Sequence, residues 1–334
     1  MKVRAYQKPS PEKPIELTNV DINPKPTDIV IKTTHAGLSK GDIFILNNAW
    51  NATKYPAIGT GQTVGIVEQA GSKAKGFRVG DRVGVGYILG SCMKCEYCLE
   101  GLHHYCKKQI NTELGGWGGF AEKISVDWRL FVKIPNEVDS VSATQLLGYG
   151  VVAYSGILKA KLSGHDLVGV IGLGGLGHIT ALLLKMLGMK VVVFSHSPHK
   201  RDVAKKLGVS DFVLTTEKSW QNRYKNKFDL IINTSPADFE LSKYISLLKP
   251  LGSFCYLGLP FNNQVFRSAQ LADYGSRTIY GSYVGSVAEI KELLKLASKK
   301  KIEIDTKTFP ISEHQKAIEF VEKDSFYKKV VLKW

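Results

Sequence analysis

The sequence feature that most constrains the fold is a glycine cluster between an apolar run and a helical segment. The run LVGVI leads into Gly172-Leu173-Gly174-Gly175-Leu176-Gly177, and ITALLLKMLG follows. Glycines at a strand-to-helix junction allow a tight turn and bring backbone N–H groups to a pyrophosphate, whose charge the helix N-terminus stabilises. A flexible loop without a ligand is the simpler alternative, but the flanking strand and helix patterns favour a dinucleotide site.

Strand and helix patterns alternate in this region. KVVVFS, DFVLTT, DLIINT and GSFCYLG have the composition of buried strands, and SPHKRDVAKKLG and FELSKYISLLKP have that of helices. This alternation predicts a doubly wound parallel sheet, an α/β fold. Upstream of about residue 135, short runs such as DIVIKTTHAG and TVGIVEQAG are broken by Gly, Pro, Asn and Asp, which predicts a β-rich domain.

The length of 334 residues exceeds what one core usually supports, so we expect two domains. The apolar segment SATQLLGYGVVAYSGILKA predicts a long helix at their junction. We place the β-rich domain at residues 1–145 and the dinucleotide domain at residues 146–284. Residues 285–334 are expected to return to the first domain, starting with a helix that carries one apolar stripe, Ile290, Leu293, Leu294 and Ala297.

Composition narrows the class of protein and of partner. Hydrophobic residues make up 44% and charged residues 22%, which is typical of a folded soluble protein and excludes disorder, collagen and coiled coil. The net charge of +15 is compatible with an anionic partner, but no nucleic-acid motif accompanies it, so we expect a small-molecule substrate and no nucleic acid. The apolar stretch 167–184 contains the glycine cluster and indicates strand, turn and helix, so we expect no membrane partner. The first residues lack a signal-peptide run, which predicts a cytoplasmic location.

Cofactor specificity is predicted from the end of the next strand. Folds that bind NAD place an acidic residue there, roughly 20 residues beyond the glycine motif, to hold the ribose 2′-hydroxyl. Here the strand ends in a segment without a carboxylate, Ser195-His196-Ser197-Pro198-His199-Lys200-Arg201. Hydroxyls and cations would stabilise a 2′-phosphate, so we predict NADPH rather than NADH. Ser197 as a helix cap, with Lys200 and Arg201 on a solvated face, is compatible with the same assignment.

Four of the five cysteines lie close together in the sequence: Cys92, Cys95, Cys98 and Cys106. Their spacing, C-x2-C-x2-C-x7-C, predicts one closed structural Zn²⁺ site that anchors a loop at about residues 90–108. An iron–sulfur cluster is the other four-thiolate option, but an oxidoreductase that transfers a hydride to or from a nicotinamide cofactor does not require a cluster. Cys255 lies in an apolar strand and is expected to be a buried hydrophobic residue. We expect His103 and His104 to be solvated loop residues.

Together these features resemble the zinc-containing medium-chain dehydrogenase/reductase family, nearest its cinnamyl-alcohol-dehydrogenase-like branch. The matching stretches extend over nearly the whole chain: SCMKCEYCLEGLHHYC, FRVGDRVGVG, GGFAE, GLGGLGH, FSHSPHK and GSYVGS. The resemblance implies a GroES-like barrel in the first domain, a Rossmann-type second domain and usually a homodimer. It also implies that NADPH is held by the glycine motif together with Ser195, His196, Ser197, Lys200, Thr234, Gly258 and Ser282.

The family has a second, catalytic zinc, and there this sequence departs from the resemblance. The family's Cys, followed by His, Ser or Thr and then Asp, becomes Ser39-Lys40-Gly41-Asp42, in which only the Asp matches. The family's Gly-His-Glu becomes Thr60-Gly61-Gln62, and its third ligand, a Cys, becomes Gly148. Glycine has no side-chain donor and Ser39 would be a weak ligand, so we predict that the catalytic zinc is absent.

Loss of this zinc shapes the predicted reaction, because the ion would stabilise developing alkoxide charge. We expect NADPH-dependent reduction of substrates that carry their own electrophilic activation, namely activated C=C, carbonyl or iminium groups. A zinc alcohol dehydrogenase with unusual ligands, such as Asp42 or a shifted His35, is the first alternative. A non-catalytic NADPH-binding sensor or scaffold is the second.

Two residues are candidates for a catalytic role. Lys40 replaces a family residue near the cofactor pyrophosphate, so holding phosphate is its favoured role. Tyr149 follows Gly148 and could donate a proton or line the pocket. The resemblance also suggests an aromatic pocket, although its tryptophans could equally be packing residues. The predicted substrate pocket comprises Ser39, Trp50, Gly61, Trp117 and Gly148.

Overall fold

The computed structural model describes residues 1–273, 275–323 and 329–334. They form two compact units: unit 1 comprises Met1–Val151 and Val284–Trp334, and unit 2 comprises Val152–Tyr283. The sequence-based ranges end at residues 145 and 284, whereas the structure divides the chain after Val151 and Tyr283.

Unit 1 is built on β-strands, as predicted. Its strands are β1 Lys2–Gln7, β2 Glu16–Asp21, β3 Asp28–Leu38, β4 Thr63–Ala70, β5 Arg82–Val85, β6 Lys123–Asp127, β7 Phe131–Lys133, β14 Thr306–Pro310 and β15 Lys329–Lys333. The main sheet has the order β14-β15-β3-β4-β5-β7, with β6 paired to β3, and β1 pairs with β2 separately. Strand β3 is antiparallel to β4, β6 and β15, whereas β14 and β15 are parallel.

The core of unit 1 follows from the alternation of side chains along these strands. On β3, Ile29 and Ile31 are fully buried, and they share a cluster with Phe120 and Phe131. Because neighbouring residues on a strand point to opposite faces, the apolar positions of several strands meet in one core.

Three of the helices of unit 1 begin at a residue whose side chain caps them, namely Ser39, Asp139 and Ser286. They are α1 Lys40–Leu46, α2 Glu96–Leu99, α3 Ser140–Gln145, α9 Val287–Lys300 and α10 His314–Lys323, with 3₁₀ turns at His103–Tyr105, Trp128–Leu130 and Ile311–Glu313. Helix α1 starts at a capping box, in which the Ser39 hydroxyl accepts from the Asp42 N–H and the Asp42 carboxylate accepts from the Ser39 N–H. The apolar stripe predicted for α9 is confirmed, because all four of its residues are buried.

The long helix predicted at the domain junction contains an interruption. Helix α3 continues into a π-helical turn at Leu146–Gly150 and then into α4, Val151–Lys159. Gly148 and Gly150 weaken the α-helical preference locally, and such wide turns are frequent at functional sites. The whole segment, Ser140–Lys159, has the length and hydropathy of a membrane-crossing helix, but 72% of its apolar window is buried inside the protein, as in a core helix.

Unit 2 contains six parallel strands, which confirms the doubly wound prediction. The strands are β8 Leu167–Ile171, β9 Lys190–Ser195, β10 Asp211–Leu214, β11 Phe228–Asn233, β12 Leu248–Tyr256 and β13 Thr278–Gly281. The helices are α5 Gly175–Met186, α6 Arg201–Leu207, α7 Leu241–Ile245 and α8 Ala269–Ala272, with 3₁₀ turns at Pro198–Lys200 and Trp220–Tyr224. The strand order is β10-β9-β8-β11-β12-β13, so the chain changes direction across the sheet between β8 and β11. Ligands of such sheets bind at the carboxyl ends of the strands at this point.

Candidate active site and metal centre

The carboxyl edge of the unit 2 sheet collects the predicted cofactor residues. Because the six strands are parallel, their carboxyl ends lie along one edge. The glycine motif follows β8, Ser195 ends β9, Thr234 follows β11, Gly258 follows β12 and Ser282 follows β13. Residues that are distant in the sequence are thus brought to the edge where a dinucleotide would bind.

The glycine motif forms a tight turn into α5. Gly172 has a φ of +87°, and no side chain caps the helix at Gly174. At Gly177 a Cβ would lie 2.2 Å from the Gly172 carbonyl oxygen, so the helix can approach the strand this closely only with glycine. The Thr234 hydroxyl donates to the Ile171 carbonyl oxygen at 2.8 Å and fixes the end of β8. The first N–H groups of α5 therefore remain available for a phosphate.

Two further loops at this edge are fixed by hydrogen bonds. Asn233 is fully buried, and its Nδ2 donates to the carbonyl oxygens of Ser235 and Gly258, both at 3.0 Å. The Ser282 N–H donates to the Tyr256 carbonyl oxygen at 3.1 Å. Sequence reasoning missed Asn233, although a polar residue at the end of an apolar strand was a usable signal.

The end of β9 presents hydroxyl groups and a cationic side chain. Ser195 is buried, and its Oγ accepts a hydrogen bond from the Ser197 N–H at 3.1 Å. His196 is exposed, and Lys200 is 9% exposed where α6 begins. This donor set suits a 2′-phosphate, because charge-assisted hydrogen bonds to phosphate are strong and residues 195–201 include no carboxylate.

The four-cysteine cluster is assembled within unit 1. All four sulfur atoms, of Cys92, Cys95, Cys98 and Cys106, lie within 4.8 Å of one another. The Cys92 and Cys98 sulfurs are 3.9 Å apart. Zinc–sulfur bonds near 2.3 Å in a tetrahedron place sulfurs about 3.8 Å apart. The N–H groups of Cys92 and Lys108 donate to Cys106 Sγ at 3.4 and 3.3 Å.

The charge of this cluster also suits a divalent cation. The backbone N–H groups of Lys94 and Cys95 lower the pKa of the Cys92 thiol to about 6. The Cys98 N–H favours the Cys95 thiolate, but burial and the neighbouring sulfurs prevail and raise the Cys95 pKa to about 11. Thiolates this close repel one another unless a cation neutralises them, so the cluster could hold a structural zinc.

His103 and His104 are buried, at 7% and 3% exposure, so the expectation that they are solvated is wrong. With Leu130 and Ile290 they line a cavity of about 20 Å³. Their burial depends on residues far along the chain, which is why the local sequence did not indicate it. His103 Nδ1 lies 3.1 Å from Ser91 Oγ.

In unit 1 the positions of the family's catalytic-zinc ligands come together around Asp42. This side chain is 4% exposed, and its Oδ2 accepts hydrogen bonds from the Ser39 N–H at 2.8 Å, the Ser39 hydroxyl at 2.5 Å and Gln62 Nε2 at 3.2 Å. Burial raises the pKa of Asp42, while hydrogen bonds from Ser39, Gln62 and the Gly61 N–H act in the opposite direction. These hydrogen bonds saturate Oδ2 of the carboxylate.

The orientation of the Gln62 amide determines which polar atom faces Gly148. Gln62 Nε2 donates to the Gly37 carbonyl oxygen at 3.0 Å as well as to Asp42. Both partners are acceptors, so a flipped amide would place oxygen against oxygen, and the orientation is fixed. Gln62 Oε1 therefore lies on the side of Gly148, where a Cβ would be 3.0 Å from it. We name as the recess the surface formed by Ser39, Gln62, Gly148 and Tyr149.

The recess does not fit a catalytic zinc. Such a site needs three protein ligands, and Gly61 and Gly148 provide none. A Cβ at Gly61 would lie 2.9 Å from the Cα of Tyr87, so a histidine there would require the backbone to move. Among the described residues, only the four cysteines form a group of three or more ligand-type side chains within reach of one ion. His35 instead lies beside Thr34, with 3.0 Å between Nδ1 and Oγ1.

Tyr149 is half-buried in the π-helical turn, beside the start of α1. Burial and the negative charge of Asp42 raise its pKa well above its usual range, although the Lys40 backbone and the Ser39 hydroxyl act in the opposite direction. The phenol is therefore a weaker acid than an exposed tyrosine.

The remaining candidates in unit 1 are Lys40, Trp50 and Trp117. Lys40 is exposed, and its Nζ lies 6.0 Å from the centre of the Phe44 ring. Trp50 is 42% exposed and packs edge-on against Phe44 at 5.6 Å. Trp117 is half-buried and packs against the unit 1 core. The structure thus brings Ser39, Gly61, Gly148 and Tyr149 together around Asp42 and Gln62. Whether Trp50 and Trp117 contact a substrate stays a prediction.

Comparison with known proteins gives consistent matches over both units. The family model described as "Alcohol dehydrogenase GroES-like domain" matches residues 25–136, and the family model described as "Zinc-binding dehydrogenase" matches residues 175–299. Cinnamyl alcohol dehydrogenase 3 of Arabidopsis thaliana is 34% identical over 319 residues, covering 91% of this chain and 84% of the relative. NADP-dependent alcohol dehydrogenase C of Mycobacterium bovis is 32% identical over 305 residues, covering 89% of this chain and 88% of the relative. A solved structure of CAD from Helicobacter pylori complexed with NADP(H) has a TM-score of 0.90 and 25% identity. The match covers 100% of this chain and 99% of that chain.

The GroES-like and Rossmann-type units, together with the NADP-dependent relatives, identify an NADP-dependent oxidoreductase, which confirms the predicted fold and enzyme class. The chain belongs to the zinc-containing medium-chain dehydrogenase/reductase family, in its cinnamyl-alcohol-dehydrogenase-like branch.

Sequence reasoning identified Gln62 only as a replaced family residue and assigned it no role. A polar side chain at the start of an apolar strand was the available signal. Its partners, Gly37 and Asp42, precede it by 25 and 20 residues, so the hydrogen bonds that orient it became visible only in the fold.

Proposed function

We propose that this protein is an NADPH-dependent reductase of activated C=C, carbonyl or iminium substrates, and that it works without catalytic zinc. The observation that supports this most is the Gln62 amide, which lies against Gly148 where the family's third metal ligand would stand. The other replaced positions offer a serine whose hydroxyl is bonded to Asp42 and a glycine packed on Tyr87.

The cofactor edge of unit 2 supports the choice of NADPH. When bound, this cofactor supplies a hydride. The N–H groups at the start of α5 would hold its pyrophosphate, and Ser195, Ser197 and Lys200 would hold its 2′-phosphate. We also propose that Cys92, Cys95, Cys98 and Cys106 hold one structural zinc per chain, which stabilises the loop that carries them.

The chemistry of the recess explains the restriction to activated substrates. In the absence of a Lewis acid, a plain alcohol keeps a high pKa and a plain carbonyl gains no polarisation. Tyr149 is the phenol of the recess, and its raised pKa makes it a weak proton donor. A substrate must therefore delocalise the charge that develops on hydride addition within its own bonds.

Metal analysis combined with a substrate panel tests this proposal. We expect about one zinc per purified chain, NADPH consumption with enones or iminium ions, and rates that a zinc chelator does not reduce during the assay. About two zinc ions per chain, together with chelator-sensitive oxidation of simple alcohols, would show that a catalytic metal is present. A protein that binds NADPH but oxidises none of it across the panel would instead be a sensor or scaffold.

We further propose that the protein is a homodimer. In support of this, Leu259, Phe261 and Val265 in unit 2 are 64%, 65% and 81% exposed, and exposed apolar groups of this kind mark association surfaces. Light scattering after size exclusion should give twice the mass of the chain, and replacement of Phe261 and Val265 by Lys should shift it toward the monomer. A wild-type monomer at micromolar concentration would contradict the proposal.

A further inference from the structure

We propose that the recess binds the positively charged N–H group of an iminium substrate, which donates a hydrogen bond to Gln62 Oε1. This inference rests on the reductase function proposed above and specifies its substrate class.

The first argument is that the side-chain oxygen of Gln62, a hydrogen-bond acceptor, has no donor among the described residues. Gln62 is 8% exposed, and both of its amide hydrogens are used by Gly37 and Asp42. Across residues 1–273, 275–323 and 329–334, its Oε1 receives no hydrogen bond, yet this atom is not among the fully enclosed oxygens. An accessible amide oxygen on a side chain that is otherwise buried is suited to a ligand that donates a hydrogen bond.

The second argument is the sign of the charge around this oxygen. Asp42 lies directly behind the Gln62 amide, and the Ser39 hydroxyl is already donated to Asp42. The Lys40 ammonium lies over the Phe44 ring. A carbonyl oxygen placed against Gln62 Oε1 would meet another lone pair, whereas a cationic N–H would gain a charge-assisted hydrogen bond. The recess thus has the opposite polarity to a Lewis acid.

The third argument is the balance of the reaction. When a hydride from NADPH adds to an iminium carbon, the new C–H bond takes the hydride pair and the C=N π pair returns to nitrogen. The product is a neutral amine, and no proton is consumed. Reduction of a ketone or an enone leaves an anion that must be protonated, and the only phenol of the recess, Tyr149, is a poor acid.

The test compares two probes of the same shape on wild-type protein saturated with NADP⁺, using calorimetry at pH 7. Tetrahydroisoquinoline is a cyclic ammonium with N–H groups, and isochroman has an ether oxygen at the same ring position. We expect the ammonium to bind at least 10-fold more tightly. Equal affinity, tighter binding of the ether, or no ammonium binding at 10 mM would overturn the inference without any variant.

Three variants assign the preference to one atom. Gln62→Met removes the acceptor and should reduce the ratio of affinities to below about threefold, and Gly148→Ala, whose Cβ would lie 3.0 Å from Gln62 Oε1, should reduce it as well. Gln69→Met makes the same change at an exposed position of β4 and should leave the ratio unchanged. A ratio that survives Gln62→Met in folded protein would show that another group binds the cation.

The inference and the proposed function fail separately, because probe binding requires no turnover. Protein that prefers the ammonium but reduces no electrophile contradicts only the proposed function. Protein that reduces enones with NADPH yet shows no preference for the ammonium contradicts only the inference about the recess.

Discussion

Substitution of Gly177 by alanine is the sharpest test of the cofactor edge. A Cβ at this position would lie 2.2 Å from the Gly172 carbonyl oxygen and 2.7 Å from Thr234 Oγ1, and real Cβ contacts essentially never fall below 3.0 Å. The start of α5 would therefore have to move by at least about 0.8 Å, the difference between 3.0 and 2.2 Å. A displacement of this size lengthens hydrogen bonds of about 2.9 Å from its N–H groups to a phosphate beyond a useful distance.

The expected cost follows from these contacts. Loss of one hydrogen bond to a charged group removes about 1.5–3 kcal/mol, so the NADPH dissociation constant should rise at least about 10-fold. Overpacking should also lower the free energy of unfolding by about 1–3 kcal/mol. Cofactor affinity can be measured from NADPH fluorescence, and stability from thermal unfolding of the protein without cofactor.

Gly164 provides the matched control for this substitution. It lies in the same unit, and a Cβ there would meet no heavy atom within 4 Å. Gly164→Ala should leave NADPH affinity unchanged and alter stability by less than about 0.5 kcal/mol. If Gly177→Ala bound NADPH as tightly as Gly164→Ala does, the placement of the pyrophosphate at this turn would be refuted.

Three further predictions concern specificity, metal and pH. Lys200→Ala should weaken the binding of NADPH by roughly 1–3 kcal/mol and the binding of NADH far less. Equal losses of affinity in titrations with both cofactors would show that the 2′-phosphate lies elsewhere. Cys106→Ser should abolish zinc binding measured by elemental analysis, whereas Cys255→Ala, at a buried cysteine of unit 2, should retain one zinc; retention of zinc by the first variant would exclude the four-thiolate site. Burial lowers the pKa of His314, so the unfolded chain takes up a proton that the folded chain resists, and stability should be complete above about pH 6.5 and fall as the pH drops below it. The melting temperature of His314→Phe should therefore fall less at low pH than that of His199→Phe. Identical pH profiles for the two variants would argue against the role of His314 in this pH dependence.

The parts of the fold that follow from local patterns were predictable from the sequence. The glycine turn and the cysteine site each depend on residues close together in the chain, so their spacing indicated them. The parallel sheet was indicated by the alternation of strand and helix patterns, although its strands pair across longer separations, as Leu230 does with Val168. The apolar stripe of α9 was recognised for the same reason, since a helix places residues three and four apart on one face.

The features that sequence reasoning missed depend on contacts between distant segments. The burial of His103 is set by packing partners far along the chain, such as Ile290. The orientation of Gln62 depends on acceptors from β3 and α1. A pattern could show that a zinc ligand was replaced, but only the fold shows which atom lies at that position instead.

Anomalous diffraction at the zinc absorption edge, from crystals grown with NADPH, tests the central claim most directly. We predict one strong peak at the centre of the four sulfur atoms of Cys92, Cys95, Cys98 and Cys106, and none at the recess. A second peak coordinated by protein side chains around Ser39, Gln62 and Gly148 would contradict the account of a reductase that works without catalytic zinc.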